Sequence, residues 1–125
     1  SSARQLERIA DHAAKIARVA LELEEVPDDV LPALESLHDE AVSVIETALE
    51  ALFADESARA TELANDARQA IPEIDEHVRA ADELLYDVDP RQAQQLGLIV
   101  DSLSRCADYG GNIAETALQK AAPRP

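Results

Sequence analysis

Residues Leu6-Glu7-Arg8-Ile9-Ala10-Asp11-His12-Ala13 return in altered form as Leu103-Ser104-Arg105-Cys106-Ala107-Asp108-Tyr109-Gly110. The correspondence runs without gaps from Ala3–Leu21 to Val100–Leu118 at a constant offset of 97. Identities fall at Leu6/Leu103, Arg8/Arg105, Ala10/Ala107, Asp11/Asp108, Ile16/Ile113, Ala17/Ala114, Ala20/Ala117 and Leu21/Leu118, eight of 19 positions. Helical amphipathicity would repeat the apolar residues, but Arg and Asp are not core types, so their recurrence points to a duplicated helix. The two stretches read as equivalent helices of two tandem units. Residues 1–25 are then the last helix of a first, truncated unit, 26–121 a complete second unit of three helices, and 122–125 a disordered tail. A start without Met, already inside helical sequence, carries the expectation of a piece of a longer chain.

Between these stretches the apolar residues keep helical spacing. Four segments emerge, at about 2–25, 29–53, 56–86 and 90–121. The first carries Leu6, Ile9, Ala13, Ile16, Ala20 and Leu23 on one predicted face; the second Leu34, Leu37, Ala41, Ile45, Ala48 and Leu52. The third carries Leu63, Ala67, Ala70, Ile74, Val78, Ala81 and Leu85, and the fourth Leu96, Ile99, Leu103, Ala107, Gly110 and Ala114. Val26-Pro27-Asp28-Asp29 separates the first two and offers an Asp as N-cap. Asp89-Pro90-Arg91-Gln92 places Asp at the cap and Pro at the first helical position. Short breaks predict antiparallel neighbours, and Pro72 predicts a kink near Arg68. The expected fold is an all-α antiparallel bundle of four helices.

Composition agrees. The chain of 125 residues has 24 Ala, three Gly and three aromatics, Phe53, Tyr86 and Tyr109. Ala favours helix and strands need β-branched or aromatic side chains, so the core should close through small residues. Acids outnumber bases 26 to 11, for a net charge of −15. Direct nucleic-acid or anionic-membrane binding needs a basic face and is not expected of this segment. Lys15 and Lys120 are the only lysines, and an Asp/Glu-rich, Lys-poor surface resembles that of proteins from salt-loving organisms. A single cysteine, Cys106, excludes an intrachain disulfide and a Cys-based zinc site. With no leader or spanning segment in the sequence, the expected location is the cytoplasm.

Leu6-Glu7-Arg8-Ile9-Ala10-Asp11-His12-Ala13, followed by Ile16-Ala17, resembles the signature run of the PhoU family, and the segment around Leu103–Glu115 resembles its second copy. The resemblance spans nearly the whole chain by helix count, with its specific motifs confined to the first and last segments. It implies two tandem three-helix bundles, of which this chain would hold the last four helices. It also implies a non-catalytic regulator of phosphate uptake and phosphate-starvation signalling. Its partners would be a phosphate transporter's ATPase subunit and/or a signalling kinase, with a homodimer as a further expectation. A DNA-binding domain, where related proteins carry one, would lie outside this chain. The open alternatives are a PhoU-like regulatory domain of another ion transporter and a metal-binding helical-bundle protein or enzyme.

Some members of the family are reported to hold iron or other metals through (E/D)xxxD motifs. Two carboxylates four residues apart share a helix face and can bind one cation. Glu7 and Asp11 fit this spacing and are expected to face solvent. In the last segment Asp101, Asp108 and Glu115 follow at seven-residue intervals, so the candidate ligand set for a divalent or iron-type metal ion is Glu7, Asp11, Asp101, Asp108 and Glu115. The plain reading stands beside it. Six (E/D)xxxD pairs occur in a chain this acidic, Ser104 replaces Glu7 in the second copy, and Ile71 precedes Asp75 where a second acid would stand. On that reading the carboxylates are solvated or paired with Arg, with Arg8 and Arg105, which recur at matching positions, bridging to acids on neighbouring helices.

His12 is expected at the flank of the first stripe, and His38 packed against the second segment's apolar face. Glu73 and His77 form an ExxxH pair of the kind used by di-iron bundles, although the apolar stripes leave no matching inward set. Cys106 reads as a small core residue. Gly110-Gly111 inside a helix calls for close helix approach. No Gly-rich phosphate loop, catalytic triad or nucleophile elbow is present in the sequence.

Overall fold

A computed structural model describes residues 1–122. Among them there are four helices and no strand: α1 (Ser2–Glu22), α2 (Val30–Phe53), α3 (Ser57–Leu84) and α4 (Pro90–Ala121). Apart from Ala122, the tail anticipated at 122–125 lies outside the described residues.

The helix ends show which local signals act. Asp89 has non-helical backbone, and its side chain accepts from the Gln92 backbone N–H with Pro90 directly after it. That is the expected N-cap. Asp29 behaves otherwise. Its backbone is already helical, so its carboxylate makes no cap bond, and the Pro27 carbonyl takes the Val30 and Leu31 N–H groups at 3.0 and 3.2 Å. A capping side chain needs an extended backbone to reach forward, which Asp29 lacks. Pro72 sits within α3, which runs as one element from Ser57 to Leu84.

α2, α3 and α4 pack mutually as a three-helix bundle, whereas α1 packs against α4 alone. Val30, Leu37, Leu96, Val100 and Ile113 are the large apolar side chains at 1% exposure or less. Between them Ala48, Ala64 and Ala114 reach 0%, so the helices approach through small residues as the Ala content predicts. Truncating Leu37 or Leu96 to Ala should cost about 2–5 kcal/mol, because neighbouring Ala residues have nothing with which to refill the space.

α1 departs from its predicted face. Ile9, Ile16 and Leu23 are half-buried, but Leu6, Ala13 and Ala20 are exposed. The predicted face joins two stripes that lie one residue apart. The inner stripe, Gln5, Ile9, His12, Ile16 and Val19, meets α4; the outer stripe, Leu6, Ala10, Ala13, Ala17 and Ala20, points away.

Candidate functional site

Two seams of α4, one with α1 and one with α3, each carry a row of polar side chains. At the first, Asn112 donates to Gln5 Oε1 at 3.2 Å, Cys106 Sγ lies 4.0 Å from the Ile9 carbonyl, and His12 Nδ1 is 3.0 Å from Ser102 Oγ. As the α1 number rises the α4 number falls, so the helices run antiparallel. Near the turn between α1 and α2, the Gln92 side-chain amide donates to the Glu25 carbonyl.

The seam uses equivalent positions from both helices. Gln5, Ile9, His12 and Ile16 on α1 correspond at the offset of 97 to Ser102, Cys106, Tyr109 and Ile113 on α4, and all eight are buried or half-buried. An antiparallel pair that presents the same positions from each partner has a local two-fold relation, with its centre where Ile9 meets Cys106. The His12 and Tyr109 rings, also equivalent, lie 5.8 Å apart, and the Arg8 guanidinium sits 5.7 Å from the Tyr109 centroid. A guanidinium at that distance gains modest cation–π attraction.

Ser102 is 0% exposed and was not singled out in the sequence. A hydroxyl so placed must find a partner, and His12 supplies it across the seam. The pair is hydroxyl and imidazole, yet Ser102 is sealed beneath α1 and closed to a substrate; the bond ties two helices. Cys106 takes its expected core role, and burial pushes its thiol pKa up, away from the reactive thiolate.

The second seam holds the predicted carboxylates of α4. Each faces α3 at the same seven-residue step. Glu115 Oε1 lies 3.8 Å from Arg68 Nε, Asp108 faces Asp75, and Asp101 faces Asp82. One rung is an ion pair and two are like-charged. Partial burial raises the Asp108 carboxyl pKa, with Asp75 adding to the rise and Arg105 opposing it. The same causes, burial first and then the Asp101 charge, raise Asp82. Arg105 Nε donates to Asp101 Oδ2 at 3.1 Å, one turn back on its own helix and not across to a neighbouring one. Arg68, Ile71, Pro72, Asp108, Gly111 and Glu115 line a shallow groove of about 370 Å³ along this seam.

Glu7 and Asp11 are exposed on α1, as expected, and join no ion pair among the described residues. The five candidate ligands therefore do not meet as one set: three line the α3 side of α4 and two lie on α1. Among the described residues no group of three or more His, Cys, Asp or Glu side chains could hold a metal ion.

Two histidines sit differently from their sequence readings. His38 is exposed and bonds the neighbouring Asp39 at 3.1 Å, because its register falls outside the stripe of Leu34, Leu37 and Ala41. His77 pairs across the α2–α3 seam with Glu40, at 2.8 Å to both carboxylate oxygens, and not with Glu73 on its own helix. The Glu40 hydrogen bond is the main cause of its raised pKa, with Glu73 only adding to the local field.

Among the described residues no helix is long and apolar enough to cross a membrane. Comparison of the chain with protein-family models, curated proteins and solved structures returns no match.

Proposed function

We propose that this chain is a non-catalytic, PhoU-like regulatory module that acts in the cytoplasm on phosphate uptake and phosphate-starvation signalling through protein partners. One observation carries the reading: the two repeat-related helices, one bearing the Leu6–Ala13 run, join antiparallel through equivalent positions beside a complete three-helix bundle. The surface suits the role. A net charge of −15 repels nucleic acid and anionic lipid, while it speeds encounter with a basic face on a transporter's ATPase subunit or a kinase. The packed bundle supplies a rigid support for such contacts, and its polar pairs hold helices together.

The test is genetic and quantitative. Deleting the gene should leave labelled-phosphate uptake high in phosphate-replete medium, where the parent strain shuts it down, and reintroducing the gene should restore the shutdown. Crosslinked material recovered through a tagged copy should contain the transporter ATPase or a kinase. Uptake and phosphate-dependent transcription that match the parent at every phosphate level would refute the proposal.

A further inference from the structure

α2 and α3 alone line a groove of about 380 Å³. Its floor is apolar, made by Val44, Ala67 and Ile74, each 2% exposed, with the half-buried Ala70 beside them. Its walls are acidic. Asp39 and Glu40 stand on α2, Asp66 and Glu73 on α3, and the lining holds no Lys or Arg. The groove along α3 and α4 differs in containing Arg68, and the one at the C-terminal end of α2 contains Lys120. The α2 carboxylates have partners, Asp39 in His38 and Glu40 in His77, both at one end of the groove. Asp66 and Glu73 are exposed and join no ion pair among the described residues. Seven residues separate them, so they stand about 10 Å apart along the α3 wall, two helical turns. Ala70 between them offers a single methyl, and Ser43 and Thr47 on the α2 wall are also small, so another helix has room to settle against the seam.

We infer that the α2–α3 groove docks a basic amphipathic helix of a partner protein, one with Lys or Arg seven residues apart along the flank of an aliphatic stripe. The stripe covers Ala70 and Ile74, and the two bases meet Asp66 and Glu73. Charge selects this occupant. A second copy of the chain would bring a net charge of −15 against the same carboxylates, whereas a basic helix neutralises two that the chain leaves without a counter-charge. This role rests on the proposed action through protein partners, for which it names the surface and the partner's chemistry; it needs nothing from phosphate.

The test uses the full chain and a fluorescently labelled synthetic peptide of about 18 residues, long enough to form a helix, with Leu and Ala on one stripe and Lys at the stated spacing on its flank. Fluorescence anisotropy at about 0.15 M salt should show saturable binding, and a scrambled peptide of the same composition should bind at least about fivefold more weakly. Asp66→Asn with Glu73→Gln should weaken the designed peptide by about fivefold or more. Ala70→Gln, which fills the groove without changing charge, should act in the same direction. Glu7→Gln with Asp11→Asn takes the same charge from α1 and should change the affinity by less than about twofold. The Asp66 and Glu73 replacements keep shape at exposed positions, so they decide the matter if Ala70→Gln fails to fold. Absence of saturable binding overturns the proposal, as does a scrambled peptide that binds equally well or an equal loss from the α1 and groove variants. Phosphate uptake in the deletion strain is read separately: unchanged uptake beside groove-specific binding removes the pathway and keeps the groove, and the converse removes the groove alone.

Discussion

Replacing Gly110 with Ala should weaken the fold, while the same change at its neighbour Gly111 should strengthen it. Neither glycine has positive φ, so Ala is conformationally allowed at both and gains about 1 kcal/mol of helix propensity. Space decides the outcome. At Gly111 the new Cβ would stand 3.6 and 3.7 Å from two Ile71 side-chain atoms, an ordinary contact, so the gain is kept. At Gly110 it would stand 2.9 Å from Val44 Cγ1, 3.2 Å from Ile45 Cγ1 and 3.3 Å from the Ile45 backbone nitrogen. Val44 is 2% exposed and β-branched, with one preferred rotamer in a helix, and a backbone nitrogen cannot rotate aside. α2 and α4 must then part, at an overpacking cost of about 1–3 kcal/mol. Subtracting the propensity gain leaves Gly110→Ala about 1 kcal/mol less stable than the parent, and roughly 2 kcal/mol below Gly111→Ala. Urea unfolding followed by circular dichroism resolves that difference. A Gly110→Ala chain more stable than the parent, matching Gly111→Ala, would refute the close approach of α2 and α4 at this point.

Three further expectations follow from the seams. His12→Ala strands the fully buried Ser102 hydroxyl and should cost about 1–3 kcal/mol, most of which Ser102→Ala should recover in the double variant; urea midpoints of the four chains measure this. Asp108→Asn removes one member of a like-charged rung and should raise stability at neutral pH by about 0.5 kcal/mol after allowance for solvent screening, whereas Glu115→Gln, which breaks the Arg68 pair, should not raise it. Lowering the pH from neutrality should stabilise the chain. Asp82 and Asp108 have raised folded-state pKa values, so their stabilising share is fully present below the ordinary carboxylate pKa and is lost as pH rises through the raised one. His77, raised by Glu40, acts in the same sense, its share present below 6.5 and lost as pH rises through the higher folded value. A urea midpoint that falls steadily between neutral and mildly acidic pH would contradict this assignment.

Much of the fold was legible because its signals are local. The Asp89-Pro90 start, the stripes of α2 and α3 and the Gly110 approach each depend on residues within a turn or two of one another. The readings that changed depend on register between helices. Leu6 and Ile9 are three apart and look like one face, yet α4 takes only the second; a two-stripe reading was available from α4, whose apolar residues occupy both sets of positions. Ser102 follows Asp101, but Leu98, Ile99 and Cys106, three or four residues away along the helix, are apolar and put its hydroxyl on the buried side, where it demands a partner. The carboxylate rungs could have been sought by sliding Arg68, Asp75 and Asp82 against Asp101, Asp108 and Glu115, which share the same seven-residue step. Nothing in a single sequence sets Glu40 opposite His77, because that pairing is fixed by how α2 and α3 close on the core.

The reading of the whole molecule depends on how α1 meets α4. Solution NMR of the labelled chain can measure this directly through cross-relaxation between side chains. Contacts are expected between Gln5 and Asn112, Ile9 and Cys106, and His12 and Ser102, with none from α1 to α2 or α3. Contacts from α1 to either of those helices, or pairings that ran in the parallel sense, would contradict the two-fold join of duplicated helices.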